Sequence, residues 1–148
     1  MRNALGLGIV VFILDQLIKY IFLAGFVWHS SCLSLVLAIN YGVAFSLFAF
    51  LGEVLKYLQI LFLIAIVGYF FWKKEAYLYR YPLALLFFSG LSNIFDRFVQ
   101  GGVVDYVYWH CGFEFAIFNF ADVMIDVAVG LFIWITWQEE KAKKGAVC

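Results

Sequence analysis

Phe120-Ala121-Asp122-Val123-Met124-Ile125-Asp126-Val127-Ala128-Val129-Gly130-Leu131-Phe132-Ile133-Trp134-Ile135-Thr136-Trp137 holds two acids in its first seven residues and no charge in the next eleven. As a helix rising 1.5 Å per residue this run covers about 27 Å, the thickness of a bilayer's hydrocarbon core. Asn119, just before it, is a candidate N-cap. Acids are expensive to keep near lipid, so Asp122 at the mouth of the run is a functional-site residue by default. Asp126, one turn deeper, has no evident role.

Working outward, the same hydropathy recurs three times, giving spans of about 4–24, 54–72, 82–99 and 120–137. Pro82 suits a first helical turn, where its missing N–H costs nothing. Composition agrees: 66% of residues are hydrophobic, 22% aromatic and only 14% charged, against roughly 25% charged in soluble domains. Lipid must be the solvent for so much apolar surface. The formal net charge of zero argues against a nucleic-acid partner. The N-terminus starts like a signal peptide, but apolar sequence continues past Asp15 without an A-x-A site, so it reads as a retained span. Between the first two spans, Leu33 to Phe48 is rich in β-formers. The expected fold is all-α, a four-helix transmembrane bundle with a small extracytoplasmic β-rich segment, and residues 1–148 form a single integral membrane domain.

Basic residues set the orientation. Arg2, then Lys73, Lys74 and Arg80, then Lys141, Lys143 and Lys144 cluster at the N-terminus, one loop and the tail, while residues 20–55 and 98–140 hold no Lys or Arg. Positive-inside then predicts cytoplasmic termini and a cytoplasmic 73–81 loop. Trp72, Trp134 and Trp137 would mark the inner interface, and Trp28 and Trp109 the outer one. Asp122 and Asp105, the latter in Gly101-Gly102-Val103-Val104-Asp105-Tyr106, then share the outer face. Two carboxylates that converge can share one proton and activate water, which is aspartyl-protease chemistry.

Other polar residues repeat at helical spacing. Asp15 and Lys19 are four apart and pair on one face; Asn93, Asp96 and Arg97 form one stripe at the outer end of the third span. A planar guanidinium such as that of Arg97 suits a carbonyl, carboxylate or phosphate. Asn40-Tyr41-Gly42-Val43-Ala44-Phe45 reads as a turn in which Gly42 permits a close backbone approach. Cys32, Cys111 and Cys148 form no CxxC pair and no metal-ligand set with His29 or His110. A Cys32–Cys111 bond needs both thiols in an oxidising compartment, and the expectation is three unpaired thiols.

Leu14-Asp15-Gln16-Leu17-Ile18-Lys19, Asn40-Tyr41-Gly42-Val43-Ala44-Phe45, Asn93-Ile94-Phe95-Asp96-Arg97, Val103-Val104-Asp105 and Phe118-Asn119-Phe120-Ala121-Asp122 together resemble the five motif blocks of the lipoprotein signal peptidases, or type II signal peptidases. They stand in the family's order and extend from the first span to the fourth. Ser92 departs from the family's usual Gly but keeps a small residue, and Asp126 lies outside the pattern. The resemblance implies an aspartic peptidase of the bacterial cytoplasmic (inner) membrane. It would cut prolipoproteins just before a cysteine that carries diacylglyceryl. By position, Asp105 and Asp122 match the catalytic pair. Asp15, Lys19, Asn40, Gly42, Asn93, Asp96, Arg97, Asn119 and Ala121 match supporting positions, with Arg97 and Asn40 expected to hold substrate carbonyls. No cofactor or metal is implied. The expected partners are diacylated prolipoproteins and membrane lipids, with the chain acting as a monomer.

The rival class is a small proton-coupled transporter, for which Asp15, Asp96 and Asp126 would serve as relays. It predicts acids spread through the bilayer and often an internal repeat, whereas Asp105 and Asp122 gather at one face and no repeat is visible. A four-span thiol oxidase would need redox cysteine pairs that the sequence lacks.

Overall fold

The computed structural model describes residues 1–42 and 48–145. Among the described residues, four long helices, α1 (Arg2–Leu23), α2 (Val54–Trp72), α3 (Arg80–Val99) and α4 (Phe120–Gly145), are each long and apolar enough to cross a membrane. α2 coincides with the apolar stretch 54–72, and α1 and α3 each begin two residues before theirs. Pro82 falls in the first turn of α3, as its chemistry demands. α4 runs past Trp137 to Gly145, because its Glu- and Lys-rich continuation, Gln138 to Lys144, favours helix once outside the apolar window.

α3 is the centre of the bundle. More than half of its apolar window is buried, against a third or less in the other three helices, and α1, α2 and α4 all pack on it. Val11, Leu85 and Ala128 form one apolar layer between α1, α3 and α4, backed by Phe120 and Met124. A second layer gathers Tyr79 and Leu83 with Val67 and Phe70 of α2 and Phe132 of α4. Here the Phe70 and Phe132 rings stack with centroids 5.2 Å apart, so α2 meets α4 at the end where α2 finishes and α3 begins.

At the opposite end lies the β-rich segment, a three-stranded antiparallel sheet ordered β1 (Trp28–His29), β2 (Leu33–Asn40) and β3 (Val103–Trp109). It packs on α1 and α3. The expected strand region between Leu33 and Phe48 is β2 up to Asn40; Val43 to Leu47 lie outside the described residues. β2 pairs with β3 so that Asn40 faces Val103 and Ala38 faces Asp105, with a register irregularity between Leu35 and Ala38. Gly102 makes this pairing fit: a Cβ there would stand 2.7 Å from Ile39 Cγ2 and 2.9 Å from the Asn40 carbonyl oxygen.

Cys32 and Cys111 are joined in a disulfide, which corrects the expectation of unpaired thiols. The reason is the strand register. Leu33 pairs with Trp109, and the His110 amide donates to the Cys32 carbonyl at 2.9 Å, which brings the two cysteines' Cα atoms to 4.3 Å. Seventy-nine residues of sequence separation hide that proximity.

Candidate active site

Three backbone devices bring Asp105 and Asp122 together. Asp105 is the third residue of β3, held opposite Ala38. The segment entering α4 is tied to the same strand: Tyr106 and Val107 amides both donate to the Phe118 carbonyl, at 3.1 and 2.8 Å. The Phe120 amide then donates to the Tyr106 hydroxyl at 3.0 Å, while the Tyr106 ring stacks on Phe22 of α1 with centroids 4.3 Å apart. Strand β3, α1 and the start of α4 are thereby fixed to one another.

Asn119 caps α4 as the sequence predicts. Its Oδ1 accepts from the Asp122 amide at 2.9 Å, and Asp122 Oδ2 accepts in return from the Asn119 amide at 3.2 Å. This reciprocal capping box satisfies two orphan amides and locks the Asp122 carboxylate. The same Asn119 donates through Nδ2 to Asp105 Oδ1 at 2.7 Å and to Asn93 Oδ1 at 3.1 Å. Asn93 in turn donates to Asp122 Oδ1 at 2.8 Å, and Asn40 donates to Asp105 Oδ2 at 3.0 Å. Both carboxylates are therefore held by a frame of three asparagines.

Behind the frame sits a buried ion cluster. Lys19 Nζ lies 2.7 Å from both Asp15 Oδ2 and Asp96 Oδ2 and donates to Asn93 Oδ1 at 2.8 Å. Asp15 Oδ1 accepts from the Ala121 amide at 2.9 Å, and Asp96 Oδ2 accepts from the Val104 amide at 3.1 Å. Each acid thus grips a chain neighbour of one of the two site carboxylates. Asp96 pairs with Lys19 and not with adjacent Arg97.

Arg97 donates to the backbone carbonyls of Tyr41, at 3.3 Å, and Gly42, while Asn40 donates to Asp105 and accepts from the Gly42 amide at 3.0 Å. Both residues shape the turn and the frame. Two residues without an assigned role join the network. Gln16 donates to Asp96 Oδ1 at 2.9 Å and to Ser92 Oγ at 2.8 Å, and Ser92 donates to Asp15 Oδ2 at 2.7 Å. Gln16 stands within the Asp15–Lys19 block, which was the only signal for it. The Ser92 hydroxyl does more than keep a small residue at a helix contact.

Asp105 is buried beside a second carboxylate. Burial, and then the charge of Asp122, push its pKa up to about 6, against the opposing hydrogen bonds from Asn40 and Asn119 and the charge of Lys19. A buried pair of this kind holds a proton more readily than isolated acids do. Both carboxylates open onto a cavity of about 570 Å³ that is also lined by Asn40, Gly42, Asn93, Arg97, Gln59 and Asp126. The cavity has wall residues from α2 and α4 at the sheet end of the bundle, opposite the end where Phe70 and Phe132 close those helices together. Such a site can activate water on one carboxylate and donate a proton from the other.

A family model described as signal peptidase (SPase) II matches residues 7–138. The lipoprotein signal peptidase of Wolinella succinogenes is 56% identical over 140 residues, covering 94% of this chain and 96% of that protein. Those of Sulfurimonas denitrificans and Helicobacter pylori strain 26695 are 51% and 49% identical, covering 90% and 87% of this chain and 84% and 83% of theirs. Two bacterial membrane enzymes with structures obtained by the in meso method superpose with TM-scores of 0.83 and 0.76 at 28% and 29% identity. The first alignment covers 97% of this chain and 92% of that enzyme, the second 90% and 91%.

Proposed function

The chain belongs to the signal peptidase II family, and on that premise we propose that it is an aspartic endopeptidase that removes the signal peptide from diacylglyceryl-modified prolipoproteins. The observation that carries the reading is the shared frame: Asn119 and Asn93 hold Asp105 and Asp122 on the wall of one cavity. Like charges so placed resist double ionisation, so the pair keeps one proton to a higher pH than isolated acids do, and this singly protonated form is the working one. The ionised member takes a proton from water, and the resulting oxygen attacks the scissile carbonyl. The protonated member hydrogen-bonds the carbonyl oxygen and then delivers its proton to the leaving amine. The asparagine frame supplies fixed donors, so little reorganisation is needed as charge moves.

The same end of the molecule carries the sheet, the disulfide, Trp28 and Trp109. A disulfide persists in an oxidising compartment. Together with the basic residues at the opposite end, this supports an inner-membrane protein with cytoplasmic termini and the dyad near the outer leaflet. There a lipid-anchored cysteine stays in the bilayer while its peptide bond reaches water. The transporter reading finds no support, since Asp15 and Asp96 are both engaged by Lys19.

The direct test is incubation of the purified protein with a diacylated prolipoprotein peptide and with its unlipidated twin, followed by mass. Cleavage before the modified cysteine is expected, with lower turnover of the unlipidated peptide because remote binding energy positions the reacting bond. Equal turnover of the two would remove the lipid from the mechanism. No cleavage of either would remove the peptidase.

A further inference from the structure

Asp122 has a place in the dyad, whereas Asp126, one turn along the same helix, has none. It lines the same cavity, and no hydrogen bond or ion pair joins it to another described residue. From α2, Gln59 lines the cavity as well, and its amide oxygen is buried with no donor among the described residues. An unmatched buried acceptor is costly to keep, and so is a carboxylate within a span, even one exposed as Asp126 is. Leucine at either position would avoid that cost, so the polar groups point to a ligand that supplies donors. Their depths match: Gln59 is the sixth residue of α2 and Asp126 the seventh of α4, each about 8–9 Å from the sheet-side end of its helix.

The ligand's chemistry follows from the bilayer. A peptide whose bond is to be cut must be extended at the dyad, and its main-chain N–H groups then lose their helical partners where water cannot replace them. Acceptors must come from the protein. Asp126 lies about 6 Å below Asp122 along α4, and an extended chain covers that distance in about two residues. We propose that Gln59 and Asp126 form a peptide subsite that accepts main-chain N–H groups about two residues upstream of the scissile carbonyl. Asp126 serves whether ionised or protonated, because either form keeps an acceptor oxygen. The inference deepens the peptidase reading and rests on it.

The test removes the donor from the substrate. Lipidated peptides are made with the amide at the second or the third upstream residue replaced by an ester, which keeps the shape and lacks the N–H. Wild type, Gln59→Met, Asp126→Leu and Asp126→Asn are compared by kcat/KM. One ester should cost wild type about fivefold to tenfold. Gln59→Met or Asp126→Leu should lose a similar factor on the all-amide peptide and be indifferent to the ester that its own acceptor serves. Asp126→Asn keeps an acceptor and should keep the ester penalty. An ester without effect in wild type, or penalties that simply multiply in both Gln59→Met and Asp126→Leu, would overturn the subsite. Failure of wild type to cut the all-amide peptide would instead sink the peptidase reading itself.

Discussion

The Lys19 cluster and the cavity of Asp105 and Asp122 both gather acids at the sheet end of the bundle, yet they use them differently. Around Lys19 every charge is answered: Asp15 and Asp96 each reach the ammonium at 2.7 Å and each also binds a backbone amide. On the cavity wall, Asp105 and Asp122 have no cation in hydrogen-bond contact among the described residues, and neutral asparagines and a backbone amide hold them. The first arrangement is saturated and rigid. The second lines an open cavity. A saturated polar network fixes a site, and an unsaturated one is free to react.

The sharpest way to break the contrast is to neutralise the reactive half. Asp105→Asn and Asp122→Asn should each lower cleavage by at least about a thousandfold, because neither pair can then both bind and release the proton. Each variant should remain folded, which a thermal melt in detergent checks. Substantial activity in either variant would place the chemistry elsewhere in the cavity.

Next in size is the saturated half. Lys19→Met leaves two buried carboxylates unanswered, and breaking a buried pair in this way typically costs about 3–5 kcal/mol. Stability and activity should fall together, because Lys19 also braces Asn93. Adding Asp15→Asn should restore part of the melting temperature. A Lys19→Met protein that melts like wild type would show that the cluster does not brace the site.

Arg97 bridges the two regions and sharpens the comparison more gently. Its fork holds the carbonyls of Tyr41 and Gly42, and that turn carries Asn40 to Asp105. Arg97→Lys keeps the charge and loses the planar double donor, so cleavage should drop roughly tenfold to a hundredfold. Because the loss is one of positioning, kcat should carry it and KM should change little. A loss confined to KM would instead assign Arg97 to direct substrate contact.

The saturated cluster was the more legible half in the sequence. Asp15 and Lys19 are four residues apart on one helix, and the pair follows from that spacing. The four apolar helices were legible for the same reason, since hydropathy reports local composition. Contacts between distant strands were not. Asn40 reaches Asp105 and Cys32 reaches Cys111 only through the β2–β3 register, which depends on Gly102 and on an irregularity between Leu35 and Ala38. The five blocks singled out Asn40, but spacing could not say that its amide reaches Asp105. Gln59 left no trace, because a lone amide in an apolar helix has no periodic partner.

The smallest expected effect lies in how stability follows pH. Folded Asp105 keeps its proton up to about pH 6, whereas an unfolded chain releases it near 3.8. Between those values the folded state binds more protons, so this contribution to stability is full below the lower value and is lost as pH rises through the upper one. At pH 7 the ionised group therefore costs the fold on the order of 3 kcal/mol. Asp105→Asn removes that cost and gives up one charge-assisted bond, since the amide has a single oxygen for Asn40 and Asn119 to share. The net gain at pH 7 should be under about 2 kcal/mol, with a flatter melting profile between pH 4 and 6. Melts of wild type and Asp105→Asn across that range decide it. If the variant were less stable at pH 7, or followed the wild-type profile, Asp105 would belong with the saturated charges and the contrast between the two regions would collapse.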